Sequence, residues 1–164
     1  MGTYAVQLAK AAGTQVTGVC STSKIDLVRS LGADRVVDYT RSDFADASRR
    51  YDVIVDIGGN GRLSRLRRAL TPTGTLVIVG EQGGSVTGGF GRQLRAPVVS
   101  LFVSQRLAML ASKEHHSYLE ALRPLIDAGQ VTPALDRTYP LADAPDAMRR
   151  LEAGHARGKI AITI

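Results

Sequence analysis

Five short apolar runs punctuate this chain, and two of them, 75–79 and 97–103, show none of the polar alternation of a strand with one face in water. The five are residues 16–20 (VTGVC), 35–39 (RVVDY), 52–57 (DVIVDI), 75–79 (TLVIV) and 97–103 (PVVSLFV). Strands of this kind are covered by helices on both faces, and strands separated by helices build βαβ units. The pattern therefore predicts a doubly wound parallel sheet in an α/β fold.

The intervening segments carry helical spacing. Tyr4, Ala5, Leu8, Ala11 and Ala12 recur on one helical face, and Gly13 ends the pattern. Ser21, Thr22 and Ser23 offer capping hydroxyls to a helix over 24–31, closed by Gly32. A short helix is predicted over 42–49, a turn over 58–61, and a helix marked by Leu63, Leu66 and Leu70. Six glycines fall in the stretch 80–91. Helices over 113–128 and 143–153 flank a strand-like 133–139, and the chain ends on an apolar run, 159–164. A doubly wound sheet normally begins with a strand feeding a glycine-rich turn into the first helix. Here Met1-Gly2-Thr3 opens directly onto the helix, so the first strand is expected to be missing.

Composition excludes several classes. A chain of 164 residues that is 44% hydrophobic can bury one domain's core, which rules out a disordered or low-complexity protein. The single cysteine, Cys20, permits neither an internal disulfide nor a multi-cysteine zinc site, so a reducing cytoplasm is the expected location. Cys20 itself reads as a small buried residue at a strand end. The net charge of +6 is spread along the sequence, and only 3 Phe and 5 Tyr accompany it, which gives nucleic acid no stacking platform. No apolar run reaches the roughly 18 residues of a membrane span. Signal-peptide regions are lacking, and Val6 spoils the myristoylation pattern after Gly2. His115 and His116 are adjacent and point about 100° apart on a helix, so they do not chelate one metal and read as surface histidines. Arg62, Arg65 and Arg68 read as the solvated face of their helix.

The order of GTYAVQLAK (2–10), LGAD (31–34), Asp38-Tyr39, GTLV (74–77) and HARGK (155–159) resembles the medium-chain dehydrogenase/reductases, in particular their zinc-free, quinone-oxidoreductase-like branch. The resemblance covers the whole chain but only the carboxyl-terminal half of such an enzyme, whose amino-terminal half is a GroES-like catalytic domain. It implies a Rossmann fold without its first strand over residues 1–132, followed by a helix and strand over 133–164 that in relatives return to the catalytic domain. It also places Gly2 as the last glycine of the phosphate-binding turn. That glycine has two readings: close packing of helix on strand, or a backbone amide facing a pyrophosphate.

Cofactor choice follows from charge. Dinucleotide sites selective for NADH carry an acidic residue about 20 positions beyond the glycine turn, bonded to the ribose hydroxyls. Here that count reaches Cys20-Ser21, where no carboxylate stands; hydroxyls at Ser21, Thr22 and Ser23 are followed by Lys24. Such a set suits a 2′-phosphate, which a carboxylate would repel, so NADPH is expected over NADH. The alternative is that the hydroxyls only cap the helix and Lys24 is solvated. The resemblance implies cofactor roles for Ser21 and Lys24 and adds Tyr39 beside the ribose phosphate. Ligands of open α/β sheets bind at the carboxyl ends of strands. Ile57, Gly80, Phe102, Val103 and Ser104 are expected at such ends, and the resemblance implies that they wall a nicotinamide pocket. Lys159 matches a terminal Gly-Lys that in relatives turns toward the cofactor cleft, with a solvated edge lysine as the plainer reading.

No general acid or base and no metal ligand is identifiable. The expected activity is hydride transfer from NADPH to a quinone, enone or aldehyde, with the isolated chain weakly active or inactive. A different class of reading is a non-catalytic remnant or association subunit. In a sheet of order 3-2-1-4-5-6, loss of strand 1 leaves two unpaired inner edges, which favours a homodimer or higher assembly.

Overall fold

The computed structural model describes residues 1–46, 48–58, 62–79, 104–110, 115–154 and 156–164. Helix α1 spans Gly2–Ala11 and leads to strand β1, Thr17–Cys20. A 3₁₀ turn over Thr22–Lys24 runs into α2, Ile25–Ser30, and β2 follows at Arg35–Asp38. Strand β3 is Tyr51–Asp56, α3 is Leu63–Ala69, and β4 is Leu70–Ile78. Then come β5 (Arg106–Met109), α4 (His116–Asp127), β6 (Leu135–Pro140), α5 (Ala144–Glu152) and β7 (Lys159–Thr163). All strand pairs are parallel: β1 with β2, β3 with β4 and β4 with β5, and β6 with β7. The α/β class and its parallel pairing are as the apolar runs predict.

The chain divides into two compact units, Met1–Ser42 with His115–Ile164, and Asp43–Glu114. In the second, the sheet order is β3-β4-β5, and Leu66, Leu70, Leu76, Ile78 and Leu107 form a buried cluster on one face of it. Phe44, Ile54 and Leu63 pack against that cluster. The other face follows from the period of two. Val53 and Val55 of β3, on either side of Ile54, are 59% and 47% exposed.

The first unit contains the pairs β1-β2 and β6-β7. Gly18 of β1 must be glycine because α2 lies so close that an added Cβ would meet the Val28 side chain. Gln7 of α1, buried, reaches across to the segment before β6: its Nε2 donates to Thr132 O (3.0 Å) and its Oε1 accepts from Thr132 N (2.7 Å). Lys10 closes on Asp34 at 2.8 Å. Among the described residues β1 pairs only with β2, and β3 only with β4.

Two sequence expectations need correction. The segment 42–46 is turn and coil rather than helix, because Asp43 accepts the Ala45 amide at 2.7 Å and Asp46 accepts the Ser48 amide at 2.9 Å. Such Asx turns satisfy locally the amides a helix would use. The sequence also gave no strand at 106–109, where β5 lies, while its expected strand at 97–103 falls outside the described residues.

Candidate cofactor site

Because β1 and β2 run parallel with Cys20 opposite Asp38, the segments leaving their carboxyl ends emerge side by side. One is the hydroxyl-rich turn 21–24 and the other is 39–42. Asp38 joins them. Its Oδ2 accepts from Thr22 Oγ1 at 2.5 Å, and its Oδ1 accepts from Thr40 N at 2.9 Å and Thr40 Oγ1 at 2.7 Å. These bonds, with Arg41 Nε at 3.9 Å, hold the Asp38 carboxyl below its ordinary range. The Asp38 side chain is only 9% exposed and accepts three hydrogen bonds from protein donors.

The turn does not use its hydroxyls as helix caps. Neither Ser21, which precedes the 3₁₀ turn, nor Lys24, which precedes α2, makes a side-chain capping bond. Thr22 is committed to Asp38, whereas Ser21 Oγ and Ser23 Oγ face each other at 3.4 Å and are otherwise available. Among the described residues the Lys24 ammonium has no hydrogen bond or ion pair, and it lies close enough to Cys20 to pull the thiol down. Burial, followed by the Asp38 charge, outweighs that pull and raises the Cys20 thiol above its usual value. Tyr39 stands 60% exposed just beyond β2.

Gly2 opens α1, whose first turn carries no acidic residue and no side-chain cap. Nothing among the described residues stands within 4 Å of a Cβ placed on Gly2, so the packing seen does not require glycine there. Sequence reasoning missed a further group: Arg157, from the segment between α5 and β7, donates its Nη2 hydrogen to Ser23 O at 2.6 Å. That contact spans 134 positions, and nothing local in the sequence announces it. Lys159 lies with its ammonium 5.4 Å from the Tyr4 ring centroid.

The residues expected at the nicotinamide end belong to the second unit. Ile57 follows the last residue of β3 and is half-buried. The run 97–103 that Ser104 was expected to follow lies outside the described residues; Ser104 precedes β5, and Met109 and Leu110 occupy the carboxyl end of that strand. There Leu110 N donates to Ile78 O at 2.9 Å, and the two side chains are 45% and 49% exposed. Gly80, Phe102 and Val103 lie outside the described residues. Ser104 instead lines an open groove of about 540 Å³ with Ser64, Arg67, Arg68, Pro72 and Gln105, on the amino-terminal side of β5.

His115 and His116 are both exposed, as expected of surface residues, but only His116 lies on the helix. His115 precedes α4 and caps it, its Nδ1 accepting from Ser117 N at 3.3 Å, and its ring lies 4.3 Å from that of His116. Arg65 is not simply solvated: it pairs with Asp43 at 2.5 Å and lies over the Phe44 ring.

A family model described as zinc-binding dehydrogenase matches residues 31–162. The chain belongs to the zinc-binding dehydrogenase family. Within it, this chain corresponds to the carboxyl-terminal, quinone-oxidoreductase-like half of a medium-chain dehydrogenase/reductase. It is 32% identical over 180 residues to the mitochondrial NAD(P)H oxidoreductase RTN4IP1 of Mus musculus, a match covering 100% of this chain and 45% of the mouse protein. It is 29% identical to the chloroplastic NADPH-dependent alkenal/one oxidoreductase of Arabidopsis thaliana, covering 99% of this chain and 37% of that protein. Among solved structures, the quinone oxidoreductase from Coxiella burnetii superposes with a TM-score of 0.78 at 27% identity, over 98% of this chain and 48% of the other. This dehydrogenase-family chain thus spans less than half the length of each of these relatives.

Proposed function

We propose that this chain is the NADPH-binding portion of an oxidoreductase that reduces a quinone, enone or aldehyde. The observation carrying this reading is the state of the turn at the end of β1. The Asp38 carboxylate beside it already accepts bonds on both oxygens from Thr22 and Thr40, while among the described residues Ser21, Ser23 and Lys24 keep unused donors. That donor set fits a phosphate and offers a ribose diol no free carboxylate. Open space at the Gly2 Cβ position, at the start of a ten-residue helix, suits close approach of a pyrophosphate to backbone amides.

In this reading Lys24 and the Ser21 and Ser23 hydroxyls hold the adenosine end, and Tyr39 offers its exposed ring beside it. In the second unit, Ile57, Met109 and Leu110 offer apolar and backbone surface at the carboxyl ends of β3 and β5. When bound, the nicotinamide supplies a hydride to the acceptor, and the matching proton comes from solvent or from a residue outside this chain. The chain's own contribution is binding and orientation, so little turnover is expected from it alone. Fluorescence titration with NADPH and NADH tests the reading: tighter NADPH binding supports it, and equal affinity overturns it.

A second reading is favoured by a separate observation. Val53 and Val55 on β3 and Val19 on β1 are large apolar residues exposed on strands that, among the described residues, each pair along one edge only. Such edges invite another strand, which points to a chain whose role is association in a homodimer or larger assembly. A stable monomer by light scattering contradicts it.

A further inference from the structure

Arg157 is fixed from both sides. The next residue, Gly158, has no room for a side chain, because the Ala134 carbonyl occupies the place a Cβ would take. One position further on, Lys159 N donates to Ala134 O at 2.7 Å and starts the β7 ladder against β6. The backbone carrying Arg157 is therefore pinned, and its guanidinium reaches the turn after β1, where one Nη2 hydrogen goes to Ser23 O. A guanidinium has five N–H donors and no acceptor. A single contact to a carbonyl leaves most of that donor capacity, and the whole charge, unneutralised, since Arg157 has no carboxylate partner among the described residues.

Among the described residues, three cations and one carboxylate face this turn. Lys24 lies on the turn itself, Arg41 comes from the segment after β2, and Arg157 comes from the segment before β7. Against these three cations stands the Asp38 carboxylate, while Asp26 on α2 is paired with Arg29 at 3.2 Å. The remaining excess matches a group carrying close to two negative charges.

We propose that Arg157 is a specificity-determining residue that, together with Lys24, supplies the positive charge selecting a 2′-phosphorylated adenine nucleotide. This rests on the reading of the 21–24 turn as the site of the cofactor's adenosine end. Arginine suits the role because its planar fork bonds a carbonyl and a phosphate oxygen at once.

The test uses the full chain with adenosine 2′,5′-bisphosphate and adenosine 5′-monophosphate as probes, followed by calorimetry. The unsubstituted chain is expected to prefer the bisphosphate. Arg157→Gln keeps a donor for Ser23 O but loses the charge. It is expected to weaken the bisphosphate roughly tenfold while changing the monophosphate by less than about twofold. Arg157→Lys is expected to restore most of the preference, and circular dichroism establishes that both variants fold. If the unsubstituted chain shows no preference, the cofactor reading itself fails. If the preference exists but survives Arg157→Gln, or if both nucleotides weaken equally in that variant, only the role of Arg157 is overturned.

Discussion

The two units of this chain are stabilised by different means. Asp43–Glu114 is organised around an apolar cluster in which Leu76 is fully buried and Leu66, Leu70, Ile78 and Leu107 are nearly so. The other unit buries few large side chains, chiefly Val37 and Val131, and relies on long-range polar links: Gln7 to Thr132, Lys10 to Asp34, Thr22 to Asp38 and Arg157 to Ser23. Apolar packing is indifferent to ligand charge, whereas polar links place donors at fixed points. The unit with the polar links is also the one whose loop ends retain unused donors, and there the NADPH reading locates specificity.

This contrast can be tested by removing one tie from each unit. Leu76→Ala deletes a fully buried side chain between β3 and β5 and is expected to cost about 2–5 kcal/mol, read as a lower urea midpoint. Gln7→Leu leaves the Thr132 amide and carbonyl without their side-chain partner. Its expected cost is smaller, about 1–3 kcal/mol, and a larger loss than that of Leu76→Ala would reverse the comparison.

The mildest test is acid. Asp34 is held below its ordinary value, first by the hydrogen bond from Lys10 and then by that from the Val16 amide. A carboxyl whose folded pKa is depressed contributes stability above its unfolded pKa and loses it as pH falls through the folded one. The Asp34 contribution is therefore intact at neutral pH and disappears below the ordinary carboxylate range. Asp34→Asn should flatten that part of an acid unfolding curve and leave the neutral-to-basic limb unchanged in shape. An acid limb identical to that of the parent chain would show that the Lys10 pair contributes nothing.

Much of this architecture is legible in the sequence. The runs at 16–20, 35–39, 52–57 and 75–79 overlap β1 to β4 as expected, but the expected covering of both faces is not met on β3, where Val53 and Val55 are exposed. The stretch 42–49 misled because apolar spacing does not register the Asx turns of Asp43 and Asp46. Strand β5 was missed because only Leu107 in it is buried, and Arg106 and Met109 are exposed, so it lacks the signature of its neighbours. Charge and position in the sequence are what single out Ser21 and Lys24 as candidates. That Asp38 would be filled by Thr22 and Thr40, and that Arg157 would arrive from the far end of the chain, depends on strand register and tertiary contact, which composition and periodicity do not encode.

The central claim is that the turn following β1 selects the phosphorylated cofactor because it presents donors and no free carboxylate. The direct measurement is the ratio of NADPH to NADH dissociation constants in the parent chain and in Ser21→Asp, which places a carboxylate where NADH-selective domains carry one. The expected result is a parent chain that prefers NADPH and a variant in which NADPH weakens at least about tenfold while NADH holds or tightens. A ratio unchanged by Ser21→Asp would contradict the claim.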